Sequence, residues 1–382
     1  MRIIHLSDLH LGIRLLGRDL RAEQEAVLGQ AAQYAKTYRP DAVVIAGDVY
    51  DKALPSAEAV ELFDKFLDDL REAAPEAAIM IISGNHDSAP RLDLYRGILN
   101  KQKIYVIGNP PCRAGEKIER VTLRDEFGPV HFYLLPFVRP SVVRELTGSD
   151  EKGNLLYYDE TLRRLIGLED LPENERLVLV SHQFYLPAGA NAEDAVRSEA
   201  EIVTVGNIDQ VRSDVLAPFD YAALGHIHRA AAVGEDRFRY AGTPMAVSVS
   251  EAGQEKGLLM VELGEKGTAP SIQMLPLTPP RRVRVLSGTP AEVLAQPSED
   301  YVSLRLTGDE AEDALELRAR LDEAFPNLLD VHWESRWQAN YREGGGGPLE
   351  LDPYALTESF LGEIDEEESR ILRELFHELK GV

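Results

Sequence analysis

The sequence predicts an α/β layered fold, and three observations predict it. Apolar runs alternate with helix-patterned segments from residue 1 to about 275. The runs are short enough to be buried strands. Five of them end abruptly in carboxylate, amide or imidazole side chains. In such sheets functional groups gather where the strands end.

Ile3-Ile4-His5-Leu6 is a strand leading into Ser7-Asp8-Leu9-His10. The segment from Arg21 to Tyr38 has helical composition. Ala42-Val43-Val44-Ile45-Ala46 runs into Gly47-Asp48, and Ser56 is the expected N-cap of an amphipathic helix reaching Arg71. That helix groups Val60, Phe63, Phe66, Leu67 and Leu70 on one side. Ile79-Met80-Ile81-Ile82 then delivers Ser83-Gly84-Asn85-His86-Asp87. Lys103–Ile107, Lys117–Leu123 and Val130–Leu135 read as consecutive strands, and Asp159 to Leu168 as a short helix. Leu177-Val178-Leu179-Val180 ends in Ser181-His182. Tyr221-Ala222-Ala223-Leu224 ends in Gly225-His226-Ile227-His228.

Three prolines within residues 276–280 mark a domain edge. Beyond it, strands at Val283–Leu286, Tyr301–Leu306 and Leu329–Trp333, with a helix from Glu310 to Phe325, suffice for a small α/β module. Its core would be thin, so it is expected to lean on the first domain. Gly344 to Gly347 forms a flexible tether. Leu349–Val382 carries 10 acidic against 3 basic residues yet keeps helical apolar spacing, at Leu356, Phe360, Leu361 and Ile364 and again at Ile371, Leu372, Leu375, Phe376 and Leu379. Two amphipathic helices on a tether suit docking to a partner. The expected domains are therefore 1–275, 276–343 and 344–382.

Composition bounds the function. At 382 residues and 44% hydrophobic the chain is long enough for two or more cores. The apolar runs are too short to cross a membrane. A strand bearing candidate ligands starts directly after Met1, so no removable signal peptide is expected and the cytoplasm is the expected location. A single cysteine, Cys112, excludes an intramolecular disulfide and a thiolate zinc site. A formal charge of −24 argues against a broad basic nucleic-acid surface. Bound metal ions, or a basic partner, would reverse that locally.

The strand-end residues read as a metal centre. Asp8 and His10 can chelate from one loop, and Asp48 is a carboxylate able to bridge two ions. Asn85 offers a carbonyl oxygen, and His182, His226 and His228 offer imidazoles. Mixed N and O donors without thiolate suit Mn²⁺, Fe²⁺ or Zn²⁺, with Mn²⁺ favoured by the carboxylates. Two such ions are a standard arrangement for phosphoester hydrolysis. His86, beside a ligand but spare as a donor, suits protonation of a leaving oxygen, with Asp87 holding its ring. Each fragment alone has an ordinary explanation as a strand-ending turn. Jointly they do not, since five of nine histidines fall at strand ends in ligand-like contexts. His5, inside the first strand, reads as a core or supporting histidine.

Asp-x-His, Gly-Asp-x-x-Asp, Gly-Asn-His-Asp, a later lone His and Gly-His-x-His resemble the signature of the calcineurin-like metallophosphoesterases. Asp8–Gly12, Ala46–Asp51, Ser83–Ser88, Ala223–Arg229 and Tyr240–Pro244 extend the likeness to the nuclease subunits of bacterial SbcCD-type complexes, over the whole chain. The resemblance implies a β-sandwich flanked by helices, a small α/β capping domain and C-terminal helices that grip a partner. It implies one ion on Asp8, His10, Asp48 and His228, another on Asp48, Asn85, His182 and His226, and His86 as the catalytic histidine. It further implies Mn²⁺-dependent 3′→5′ exonuclease and single-strand or hairpin endonuclease activity. The subunit would form a homodimer through its catalytic domain, with Ser56–Arg71 and the segment after Asp87 as candidate dimer elements. The partner would be an SbcC-type coiled-coil ATPase, in a 2:2 assembly. Archaeal relatives place a second active-site histidine where this chain has Asp51. Arg14, Arg18, Arg91 and Arg229 flank the ligand loops, and Arg281, Arg282 and Arg284 open the small module; all are candidate phosphate contacts. A small-substrate phosphoesterase or nucleotidase of the same superfamily, and a scaffold without metal, are the competing readings.

Overall fold

A computed structural model describes residues 1–187, 209–308 and 314–333. The chain opens with β1 (Arg2–Leu6), α1 (Arg21–Tyr38), β2 (Ala42–Ala46), α2 (Ala57–Ala73), β3 (Ala78–Ile82) and β4 (Ile104–Ile107). The four strands run parallel in the order β1-β2-β3-β4. A second sheet follows with β5 (Glu119–Asp125), β6 (Gly128–Leu135), helices α3 (Pro140–Thr147) and α4 (Tyr158–Gly167), β7 (Arg176–His182), β8 (Tyr221–Gly225), β9 (Ala231–Val233) and β10 (Glu235–Tyr240). Its order is β9-β10-β8-β7-β6-β5, with β6, β7, β8 and β10 parallel. The chain then returns to the first sheet as β11 (Gly257–Glu262), antiparallel to β1, and β12 (Ser271–Pro276).

Side-chain alternation along the strands explains the layering. Ile3, Val44, Ala46, Met80 and Ile82 face inward and meet Phe132, Leu134, Val178, Val180 and Ala223 of the other sheet. Their neighbours Ile4, Leu6, Val43, Ile45, Ile79 and Ile81 face outward and pack under α1 and α2, against Val27, Leu28, Phe63 and Phe66. The outer face of the second sheet is covered by α3 and α4 through Val143, Leu162 and Leu165. The result is two sheets face to face with helices outside both, the expected α/β class. Because β1, β2 and β3 are parallel, as are β7 and β8, their C-terminal ends lie on one rim of the sandwich.

Ser56 caps α2 as expected, its hydroxyl accepting the Ala59 N–H. Val60 departs from expectation, being exposed. The buried face is centred on Ala59, Leu62, Phe63, Phe66 and Leu70. At 3.6 residues per turn Val60 points about 100° from that centre.

Beyond residue 280 lie β13 (Val283–Gly288), α5 (Pro290–Leu294), β14 (Tyr301–Leu306), α6 (Ala314–Ala324) and β15 (Leu328–Trp333). Their three strands form a parallel sheet with its own core of Leu286, Val293, Val302, Leu304, Leu317, Leu321 and Phe325. The opposite face leans on the first sheet's helices. Val283 and Tyr301 join the core beneath α1, and the Tyr301 hydroxyl and Arg281 both bind the buried Glu23 carboxylate, at 3.2 and 2.6 Å. The glycine tether and the two helices expected after it lie outside the described residues.

Candidate metal centre

The rim loops are tied to one another through the backbone. Asp8 N–H donates to Gly47 carbonyl (3.0 Å), His10 N–H to Asp48 carbonyl (3.0 Å) and Leu11 N–H to Val49 carbonyl (2.9 Å). His86 N–H donates to Asp48 Oδ1 at 2.9 Å, and His226 N–H to Asp8 Oδ1 at 3.0 Å. Asp8, His10, Asp48 and His226 all have positive φ, between 42° and 106°. Such backbone costs about 1–3 kcal/mol per residue and collects at functional sites. Two glycines permit the close approach. A Cβ on Gly84 would fall 2.1 Å from Asp48 Oδ1, and one on Gly47 2.3 Å from His182 Nδ1.

The loops bring all seven expected donors together. His10 Nε2 and His228 Nε2 face each other at 3.1 Å, with Asp48 Oδ2 3.8 Å from His10 Nε2. On the other side of Asp48, His182 Nε2 lies 3.2 Å from the same Oδ2. Asn85 Oδ1 sits 3.0 Å from His182 Nε2 and 2.9 Å from His226 Nδ1. Asp8 has carboxylate oxygen within 4.8 Å of donor atoms of both groups. The arrangement is two donor sets that share Asp48. Phe137 walls the second set, its ring stacked 6.3 Å from that of His226 and 6.3 Å edge-on from that of His182.

The partners behind the donors fix which nitrogen is available. His182 Nδ1 faces the Ala46 carbonyl at 2.8 Å, so it carries the proton and leaves Nε2 as a lone pair. His228 Nδ1 faces Glu251 Oε1 at 3.0 Å with the same consequence. Imidazoles held by a carbonyl or carboxylate on the far nitrogen are built as metal ligands. The donors are buried, with Asp8, His10, Asp48, His182 and His228 at most 2% exposed. Burial lowers the His10 imidazole to about 3, keeping it neutral. Burial works against charge on His182 as well, but the Asp48 carboxylate outweighs it and raises the imidazole to about 9, so without an ion Nε2 holds a second proton that a bound metal would displace to free the lone pair. Burial pushes the Asp8 carboxyl up, with Asp48 adding to the shift. Two buried carboxylates and converging lone pairs with no permanent cation among them fit divalent ions.

His86 is half-buried at the edge of the first set, with its ring edge-on to His10 at 4.8 Å. Its Nδ1 lies 2.8 Å from the Asp51 carbonyl, so Nε2 is the nitrogen left for chemistry. The expected contact between Asp87 and this ring is not formed. The Asp87 carboxylate accepts three backbone N–H groups instead, from Gly84 (2.9 Å), Tyr50 (2.9 Å) and Val49 (3.1 Å). Asp87 is therefore a staple between the Asp48 and Asn85 loops, and Asp51 supplies the imidazole's partner from its backbone. Of the flanking arginines, Arg18 donates to the carbonyls of Pro326 and Leu328 and so ties the segment between the first ligand loop and α1 to the small module.

Sequence reasoning missed Glu251, Lys256 and Thr243. Lys256 Nζ donates to Glu251 Oε2 (2.6 Å), Thr243 Oγ1 (2.7 Å) and the His228 carbonyl (2.9 Å). Burial favours the neutral acid, but the His228 hydrogen bond and the Lys256 charge hold the Glu251 carboxyl well below the usual carboxylate range. His5 is a supporting residue, its Nδ1 2.8 Å from the Tyr221 hydroxyl inside the sandwich.

A two-set N/O centre on the rim of this sandwich defines a metallophosphoesterase, and residues 1–230 match the family described as calcineurin-like phosphoesterase. The chain belongs to that family. Over 413 aligned positions it is 28% identical to the SbcD subunit of nuclease SbcCD from Escherichia coli (strain K12), the alignment covering 100% of this chain and 99% of that one. Among solved structures, a dimetal phosphatase from Danio rerio matches with a TM-score of 0.40 at 15% identity, over 72% of this chain and 98% of that one. No helix among the described residues is long and apolar enough to cross a membrane.

Proposed function

We propose that this chain is the nuclease subunit of an SbcCD-type DNA-end processing complex, in the cytoplasm, acting in DNA repair, recombination and replication. It would hydrolyse phosphodiesters as a 3′→5′ exonuclease and as an endonuclease on single strands and hairpins. The observation that carries the reading is the pair of donor sets meeting at Asp48 Oδ2. Full-length similarity to the Escherichia coli SbcD protein supports the choice of DNA as substrate.

Asp8, His10, Asp48 and His228 would hold one ion, and Asp48, Asn85, His182 and His226 the other. Mn²⁺ suits the mixed carboxylate, amide and imidazole set. When bound, such ions supply Lewis acidity toward phosphoryl oxygens and make water a better nucleophile near neutral pH. The chain's own part is positional. The buried carboxylates and oriented imidazoles set where the phosphodiester lies. His86, its Nδ1 proton committed to the Asp51 carbonyl, would act from its doubly protonated form, donating the Nε2 proton to a leaving oxygen or a developing phosphorane charge. Phosphate contacts carry little sequence information, so ends and strand structure would decide what is cut.

The proposed division is a catalytic domain over 1–275, a capping domain over 276–343 and a partner-binding tail over 344–382. The separate core around Leu304 and Phe325 supports the second. A homodimer through the catalytic domain, bound to an SbcC-type coiled-coil ATPase, completes the proposal.

The test is cleavage of hairpin-ended and single-stranded DNA with Mn²⁺, alone and with the ATPase partner and ATP. Mn²⁺-dependent cleavage is expected. Silence in both conditions, with turnover of a nucleotide monoester, would replace the reading with a small-substrate phosphoesterase.

A further inference from the structure

A cleft of ≈ 940 Å³ opens between residues 245–256 and the start of β13. Its walls combine apolar side chains, among them Met245, Val249 and Met274, with the guanidinium groups of Arg282, Arg284 and Arg305. We propose that this cleft binds a nucleotide through its phosphate, with Arg282 and Arg305 supplying the charge.

Some of the cleft's cations are held by carboxylates and others are not. Arg281 also lines the cleft, but Glu23 holds its guanidinium at 2.6 Å. Lys256 is buried against Glu251, and Arg284 lies 3.6 Å from Asp300 Oδ2. Arg282 and Arg305 are exposed, and no carboxylate among the described residues pairs with either. Across from them the exposed Glu255 is the acidic group on the wall not already held by a lysine. In a chain of formal charge −24, two unneutralised guanidinium groups in one cleft are a local reversal of sign. Guanidinium is the side chain best matched to phosphate oxygens, because its planar fork donates two parallel hydrogen bonds. The apolar wall gives a base or sugar somewhere to lie, and the volume falls in the range of small-molecule sites. Glu251 lines this cleft and also holds the His228 imidazole, so the site adjoins the metal centre.

The choice of a nucleotide over other phosphates rests on the nuclease reading. A nucleotide could arrive as a unit of a single strand or as a free monophosphate, and the experiment separates the two. The full chain is freed of metal with chelator so that nothing is cut. Binding of fluorescein-labelled oligothymidylate is followed by anisotropy across a salt series, and binding of thymidine 5′-monophosphate by calorimetry. The comparison is with the Arg282→Glu/Arg305→Glu variant, and with Arg282→Gln/Arg305→Gln should charge reversal disturb folding. Oligonucleotide affinity is expected to fall at least about tenfold at low salt. Each lost phosphate contact removes about 0.7 from the slope of log K against log salt for single strands, so the slope should shrink by about 1.4. Mn²⁺ affinity of the variant should match the parent. Loss of oligonucleotide binding alone assigns the strand; loss of both assigns free nucleotides as well. Unchanged binding of both ligands in the variants overturns the proposal. A parent chain that binds oligonucleotide at the cleft yet never cuts DNA would sink the nuclease reading and leave the cleft standing.

Discussion

Glu251→Gln is the substitution that best tests how the metal centre is held. Glu251 is fully buried, and each carboxylate oxygen has work on a different side. Oε1 accepts from His228 Nδ1 at 3.0 Å and from Ser248 Oγ at 3.1 Å. Oε2 accepts from Lys256 Nζ at 2.6 Å and from Thr243 Oγ1 at 2.9 Å. An amide has one accepting end, so its NH₂ must face either the Lys256 ammonium or the His228 Nδ1 proton. The first choice sets donor against donor. The second drives the His228 proton to Nε2, the nitrogen that faces His10 and the donor set. Losing such a supporting partner typically costs 10–100-fold in metal affinity, or about 1.4–2.8 kcal/mol at about 1.4 kcal/mol per tenfold. Stability should fall too, because breaking a buried pair costs about 3–5 kcal/mol. Lys256 keeps its bonds to the His228 carbonyl and Thr243, which favours the lower end. Lys256→Met separates the two effects, since it removes the ammonium and leaves the carboxylate on His228. The assay is a calorimetric Mn²⁺ titration of metal-free protein, with melting followed with and without Mn²⁺. Glu251→Gln should bind at least tenfold more weakly than the parent, and Lys256→Met within about threefold of it. A folded Glu251→Gln protein with parental affinity would refute the argument.

His86→Gln should lower DNA cleavage by about 10²–10⁴-fold, the usual worth of a positioned acid or base, while Mn²⁺ affinity stays parental; loss of metal would instead make His86 a ligand. Asp87→Ala strands three backbone N–H groups, each worth roughly 1–3 kcal/mol when buried and unpaired, so denaturant unfolding should show a large loss; an unchanged midpoint would contradict the staple role. Gly84→Ala places a Cβ on Asp48 Oδ1, so Mn²⁺ binding should collapse with circular dichroism retained, and normal metal binding would show that the loop relaxes freely. The Arg176 hydrogen bonds hold the Asp125 carboxyl well below the usual range against the opposing effect of burial, with the Met1 α-ammonium adding to it. A carboxyl depressed in the folded state stabilises fully above its unfolded value of about 3.9 and loses that contribution as pH falls through the folded value. The melting gap between parent and Asp125→Asn should therefore hold from pH 7 to about pH 5, begin to shrink near pH 4 and be clearly smaller at pH 2; equal gaps at pH 5 and pH 2 would remove Asp125 from the acid response.

The parts of this protein legible in its sequence are those whose position is set by strand order alone. An apolar run that stops at Asp, Asn or His places that residue at a strand end. Parallel pairing then carries β1, β2 and β3 to the same rim without further information. Hence Asp8, His10, Asp48, Asn85, His182, His226 and His228 could be named together before any distance was known. Asp87 shows where that logic stops. Adjacency to His86 suggested a pair, but neighbours on a tight loop point apart, and the Asp87 carboxylate turns back onto the N–H groups of Gly84, Val49 and Tyr50. Glu251 and Lys256 were hidden for a different reason. Ser250-Glu251-Ala252-Gly253-Gln254-Glu255-Lys256 has the composition of a solvated turn. Glu251 lies 23 residues from the imidazole it supports. What buries it is the return of β11 to the edge of β1, which carries the preceding turn beneath the His228 loop. A donor that contacts the ion is visible because its chemistry is unusual at a strand end. A residue that contacts the donor looks ordinary in its own segment, and only the long-range register of the sheets gives it its role.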